Sequence, residues 1–318
     1  MSDSSIRQRA SDFLVYKRSL GYLYESQEYY LWNFVSYVEK VAPDAEYPTK
    51  QVIDPYLDSI QGSGSNLFAT VTLLRELSNY LQIRGYPEAY VVPPKVASQP
   101  VPEPPYFFTA EEITSFFAKL DEMKPHTSFK GKELVIPAMF RLLYCCGMRP
   151  KEARTLKCVN VHLSELFIDI LQSKGPKSRR IFISQELTEY LDDYNKRISI
   201  LFPQREFFFP ARDGRPYGSS AISGNFRKFW WEAYPDFPKG SRPRAYDFRH
   251  HFAWTNINQW AAEGMDVNVM LPYLMRYMGH QTVAETLYYF HFVPEFFPTF
   301  REIAKPLENI IPEVWDED

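Results

Sequence analysis

Apolar side chains recur at intervals of three and four through SSIRQRASDFLVYKRSL (4–20) and ESQEYYLWNFVSYVEKV (25–41), the spacing that turns one helix face toward a core. TKQVIDPYLDSI (49–60) carries a shorter pattern with an internal proline. SGSNLFATVTLLRELSNYLQIRG (63–85) opens on Ser and Asn and closes on Gly85, a residue suited to the position just past a helix. About four helices packed as a bundle are expected for residues 1–92, with no chemically active cluster among them. PPKVASQPVPEPPY (93–106) breaks the periodicity, because its prolines lack the N–H of a helix and hold the chain extended and stiff; it is expected to be a linker. Beyond it, Thr109-Ala-Glu-Glu112 has the capping-box spacing ahead of ITSFFAKL. ELVIPAMFRLLYCCGMRPKEARTL (133–156) is a helical pattern that stops at Gly147 and restarts at Pro150, which suits a first helical turn. LFIDILQ and RRIFIS flank SKGPKS and predict a β-hairpin. From about Gln185 the pattern is helical again, so 107–318 is expected to be mainly α with a small β-sheet.

Composition narrows the class. With 318 residues, 45% of them hydrophobic and 17% aromatic, the chain can bury two cores. No apolar run approaches the roughly 20 residues of a membrane span, and MSDSSIRQRA lacks the apolar stretch of a signal peptide. Cys145, Cys146 and Cys158 are odd in number and have no zinc spacing; they are expected to be buried small hydrophobes in a reducing cytoplasm. A net charge of −3 argues mildly against a polyanionic partner. The cations are nevertheless unevenly placed. KGPKSRR and KGSRPRAYDFRH gather Lys177, Arg179, Arg180, Arg242 and Arg244, the residues expected to face DNA phosphates if the chain binds DNA.

Several polar residues interrupt apolar segments. Arg149, in GMRPKEA, stands at a helix junction where a guanidinium can fork onto phosphate oxygens or pair with Glu152 three positions on. Lys174 lies at the tip of the hairpin, either as a solvated turn lysine or as an ammonium with reach. Tyr246, Arg249 and His250 fall within one turn of a largely buried helix, so Arg249 needs an anionic partner, either Asp247 or a phosphate. Gly279-His280 precedes a short helical run that ends on Tyr288 and Tyr289.

Taken together, GMRPKE, SKGPKSRR, YDFRHHFA and MGHQTVAETLYYFH resemble the motifs of the tyrosine recombinases, the Xer-like and phage integrase family: G-(L/M)-R-x-x-E, a hairpin K-G, H-x-x-R-H-(T/S)-F-A and L-G-H…T-x-x-Y-x-H. The resemblance covers essentially the whole chain. It implies a two-domain clamp, with a helical, SAM-like core-binding domain at 1–92 and a mixed α/β catalytic domain at 107–318. By the family's count, Tyr289 lies nine residues after His280 and is the nucleophile, with Thr286 before it and His291 after it. Tyr288 is then a packing neighbour. Tyr246 stands where the family has histidine; its phenol can donate a hydrogen bond but supplies no imidazolium charge.

The resemblance further implies attack by Tyr289 on a DNA phosphodiester, giving a 3′-phosphotyrosine and a free 5′-hydroxyl. Arg149 and Arg249 would clamp the non-bridging oxygens and Lys174 would protonate the leaving oxygen. His280 and Tyr246 would contact the phosphate, while Glu152 and His250 support their neighbours. No metal, cofactor or ATP is implied. The partner is double-stranded DNA carrying a specific site, bound by a homotetramer or by a tetramer shared with a related recombinase. The apolar tail after Tyr289 is expected to dock on a neighbouring protomer. A type IB topoisomerase shares the nucleophile and the cations but works as a monomer, and a catalytically impaired DNA-binding accessory would also keep this fold.

Overall fold

The computed structural model describes residues 5–60, 64–100, 103–171, 178–238, 243–280, 282, 285 and 286. They form two compact units, residues 1–103 and 104–318. In the first unit, α1 (Ile6–Ser19), α2 (Glu25–Val41), α3 (Lys50–Ser59) and α4 (Gly64–Ile83) pack as a bundle. Their apolar faces supply its core: Ile6, Ala10, Phe13 and Leu14 from α1, Leu31, Phe34 and Val38 from α2, and Leu74, Leu77 and Leu81 from α4. The Ser5 hydroxyl accepts from Gln8 N and starts α1. Tyr86 N and Gly85 N donate back to Leu81 O and Gln82 O and close α4. The proline-rich stretch after α4 contains one 3₁₀ turn, Pro94–Val96.

The second unit is built round α6 (Lys132–Cys146), which packs on α5 (Ala110–Asp121), α8 (Gln185–Leu201) and α10 (Asp247–Ala262). The capping box of α5 forms as expected, with the Thr109 side chain accepting from Glu112 N and the Glu112 carboxylate accepting from Thr109 N. α7 (Pro150–Arg154) follows the break, and α9 (Ser219–Ala233) covers α5. α11 (Val267–Met278) shares a small core with α10 made of Ala253, Ile257, Leu271, Leu274 and Met278. The break itself is steric. Gly147 has φ +56, and a Cβ there would stand 2.6 Å from the Phe252 ring of α10.

Among the described residues the sheet has three antiparallel strands, β1 (Val161–His162), β2 (Phe167–Ile170) and β3 (Arg179–Phe182). The β2–β3 hairpin follows the expectation, with Ile168 opposite Ile181 and Ile170 opposite Arg179. β1 was not expected, because two residues are too few to show an alternation. A second correction concerns the cysteines. Cys146 is buried, but Cys158 is half-buried and Cys145 is exposed, since successive residues at the end of α6 face different sides.

Candidate active site

Four elements bring their polar residues to one end of α11. Arg149 caps α7, and Pro150 follows in the first turn. Glu152 reaches back to it: Arg149 N donates to Oε2 at 2.9 Å and Arg149 Nη1 donates to Oε1 at 2.9 Å. The pair foreseen from the i, i+3 spacing is therefore present. The Glu152 side chain is only 3% exposed, so its charge depends on these partners.

Arg179 supplies the rest. Its Nη1 and Nη2 donate to the two Glu152 oxygens at 2.9 and 2.8 Å, and its Nε donates to Tyr277 O at 2.7 Å. This is a two-pronged fork on a buried carboxylate, the strong form of such a pair. On α10, Arg249 is 1% exposed and donates to Gly147 O at 2.7 Å and to Met278 O at 2.6 Å. Arg149 Nη2 completes the row on Gly279 O at 3.0 Å. Three guanidiniums from β3, α10 and α7 thus meet three consecutive carbonyls, Tyr277, Met278 and Gly279. These lie at the negative end of a helix, where cations are stabilised. Gly279 fits here because its φ is +67 and because a Cβ would lie 3.0 Å from Arg179 Nη1, an atom held by Glu152.

His280 comes next. Its Nδ1 lies 2.8 Å from Thr286 Oγ1, and Thr286 is fully buried. Burial first, then the positive charges of Arg249, Arg149 and Arg179, push the imidazole down to about 3, so it is neutral at pH 7. His250, whose ring meets Tyr246 edge-on at 5.1 Å, is pushed down to about 4 by burial and by Arg244 and Arg249. Tyr246 stands at the cap of α10 and is 41% exposed, so its phenol is open to solvent. The alternative of Asp247 as partner to Arg249 is not what the bonds describe. Asp247 accepts from Arg244 N at 2.7 Å and from Arg244 Nη2 at 2.9 Å, while Arg249 donates to carbonyls.

The structure therefore brings Arg149, Glu152, Arg249, His280 and Thr286 together, with His250 and Tyr246 on the first turn of the helix that carries Arg249. Lys174, Lys177, Arg242, Tyr288, Tyr289, His291 and the tail lie outside the described residues. Two of the cations grouped as DNA-facing have protein partners, Arg180 with the half-buried Asp169 and Arg244 with the fully buried Asp247. Arg179 is not a surface cation: its side chain is 9% exposed and belongs to the cluster. The strand alternation could have shown this, because Arg179 shares a face with the buried Ile181 and Ile183 while Arg180 and Phe182 face out. Among the described residues no group of three or more His, Cys, Asp or Glu side chains could hold a metal ion, and no helix is long and apolar enough to cross a membrane.

Comparison with known proteins shows the family. Residues 107–295 match the phage integrase family, more than half of the chain, and the chain belongs to that family. It is 30% identical over 191 residues to the tyrosine recombinase XerC of Lactobacillus leichmannii, covering 59% of this chain and 58% of the relative. It is 28% identical over 236 residues to XerC of Lactobacillus delbrueckii subsp. bulgaricus, covering 72% of each. The fold matches a lambda integrase tetramer bound to a Holliday junction with a TM-score of 0.59 and 17% identity, over 89% of this chain and 80% of that one.

Proposed function

We propose that the chain is a site-specific DNA recombinase that breaks and rejoins strands through a 3′-phosphotyrosine formed at Tyr289. The observation that carries this reading is the meeting of Arg149, Arg179 and Arg249 on the carbonyls just ahead of His280. Such a row of fixed cations favours the charge that builds up on a phosphate in the transition state. Membership of the phage integrase family supplies the reaction class.

In this mechanism the Tyr289 phenol gives up its proton to solvent as its oxygen bonds to phosphorus, and the bond to the 5′-oxygen breaks, with Lys174 giving its proton to the departing oxygen. Arg149 and Arg249 hold the non-bridging oxygens, for which a planar guanidinium fork is suited. A neutral His280 whose Nδ1 accepts from the Thr286 hydroxyl presents its Nε2–H to the same phosphate. Tyr246 donates from the mouth of the site. The phosphotyrosine conserves the ester, so reversal by the incoming 5′-hydroxyl rejoins the strand without ATP.

The partner is a duplex carrying the recombination site. Residues 1–92 act as the core-binding domain, 93–106 as the linker and 107–318 as the catalytic domain. The active assembly is a tetramer on DNA in the cytoplasm, in line with the junction-bound lambda integrase whose fold this chain shares.

The test uses a nicked duplex cut from the region that the purified protein protects beside its own gene. The unmutated protein and Tyr288→Phe are expected to form a covalent adduct at the 3′-phosphate, and Tyr289→Phe none. No adduct from the unmutated protein on a duplex that it protects would overturn the reading in favour of a binding accessory. Relaxation of any supercoiled plasmid by a monomer would replace it with a topoisomerase.

A further inference from the structure

Glu152 poses an electrostatic problem for the reading just given. A carboxylate within 2.9 Å of Arg149 cancels the charge that Arg149 should present to a phosphate. We propose that Arg179 solves it as a positioning residue: it binds Glu152 from the far side, takes up its charge and fixes its orientation, so that the cluster keeps a net positive charge and Arg149 stays correctly aimed. This assignment rests on the recombinase function proposed above.

Three observations support it. First, Arg149 and Glu152 alone sum to zero, whereas Arg149, Arg179 and Glu152 sum to +1. Second, both Glu152 oxygens are taken by the Arg179 fork while each also accepts from Arg149, so the carboxylate cannot rotate without losing a bond to each. Third, the Nε bond to Tyr277 O ties the same guanidinium to the helix end on which Arg149 and Arg249 rest. The Arg179 side chain is 9% exposed against 50% for Arg180 next to it, so its donors serve the protein and not an incoming backbone. A lysine could supply the charge at this place, but not two parallel N–H groups and a third in the same plane pointing away from them.

The experiment measures adduct formation on the nicked site by Arg179→Met, Arg179→Lys, Glu152→Gln and the Met/Gln double variant. Each is also titrated with intact DNA at several salt concentrations. The readouts are the cleavage rate, the slope of affinity against salt, and cleavage of a substrate whose scissile phosphate carries a methyl group in place of one charged oxygen. Arg179→Met is expected to slow cleavage about 100-fold through misalignment, with Arg179→Lys only partly restored. The Met/Gln double variant, whose cluster keeps the +1 of the unmutated protein, should leave the salt slope unchanged and should cost no more than the worse single variant. On the methyl-bearing substrate, which places less demand on the charge of Arg149, the gap between variant and unmutated protein should narrow.

An unmutated protein that forms no adduct overturns the recombinase reading itself. If it does form the adduct, three results overturn the role of Arg179 alone. These are unchanged cleavage in both Arg179 variants, a salt slope lowered by about 1 in the Met/Gln double variant as for a phosphate contact, or a gap of equal size on both substrates. If Arg179→Met fails to fold, Arg179→Lys and the salt slope still decide.

Discussion

Each unit buries arginine, and the two do so in opposite ways. In the first, Arg9 has 8% of its side chain exposed and is matched by one carboxylate: Nη2 meets Glu46 Oε2 at 3.0 Å and the Tyr86 hydroxyl at 2.8 Å. Its guanidinium also lies 4.1 Å from the Tyr86 ring centroid. That charge is neutralised where it stands, as a buried charge in a scaffold should be. In the second unit, among the described residues, Arg149 and Arg179 share the carboxylate of Glu152 beside Arg249, and the formal charges of these four side chains sum to +2. Four further N–H groups of these guanidiniums donate to the neutral carbonyls of Gly147, Tyr277, Met278 and Gly279, which hold a guanidinium without cancelling it. Burial alone therefore does not distinguish the two settings; the balance of charge around the guanidinium does.

The largest consequence falls on Arg249. Arg249→Gln should lower adduct formation about 1,000-fold by removing a preorganised donor. It should also lower stability by about 1–3 kcal/mol, because the buried Gly147 and Met278 carbonyls lose their partner. Both are measurable, the first on the nicked substrate and the second by urea unfolding.

Arg9→Met should do the reverse. A loss of about 2 kcal/mol in urea unfolding is expected from its broken bonds, with the cleavage rate per folded molecule unchanged. A drop in that rate beyond the unfolded fraction would mean that the two arginine environments are not separate in kind.

Acid provides a third contrast. Every histidine of the chain lies beyond residue 125, outside the first unit. Burial holds His251 at about 4, as it does His250, and His280 lies near 3, all below their ordinary value of 6.5. The unfolded chain therefore takes up protons first as pH falls. The stability gained by keeping these rings neutral is complete above about 6.5 and is lost on the way down toward 4, with a slope near 1.4 kcal/mol per pH unit for each proton. Hydrogen exchange at pH 5 should show α10 and α11 opening before α1–α4, and His251→Phe should flatten the dependence.

The smallest effect belongs to Arg180. Its pair with Asp169 is half-exposed, so Arg180→Ala should change urea stability by no more than about 0.5 kcal/mol, one position away from a residue of large effect.

Much of this was legible in the chain. Periodicity and caps placed the bundle, the Thr109 box, the break between Gly147 and Pro150 and the hairpin, because each depends on residues close in sequence. The i, i+3 spacing paired Arg149 with Glu152 for the same reason. What stayed hidden depends on contacts across the fold. Arg179 lies 27 positions from Glu152 and 98 from Tyr277, and in the run KSRR it resembles a solvated cation. The preference of Asp247 for Arg244 over Arg249 was equally hidden, since both choices are close in sequence and only the direction of the first turn of α10 separates them.

The row of carbonyls at Tyr277–Gly279 has one more consequence. A single turn of peptide acts as the common anvil for three side chains drawn from three other elements, so a tilt of α11 by a fraction of an ångström displaces all of them at once and in the same sense. Substitutions along α11 far from any phosphate, such as at Leu271 or Leu274 in its small core with α10, should therefore change the speed of the chemistry as a gear ratio does, with every contact kept and all of them shifted together.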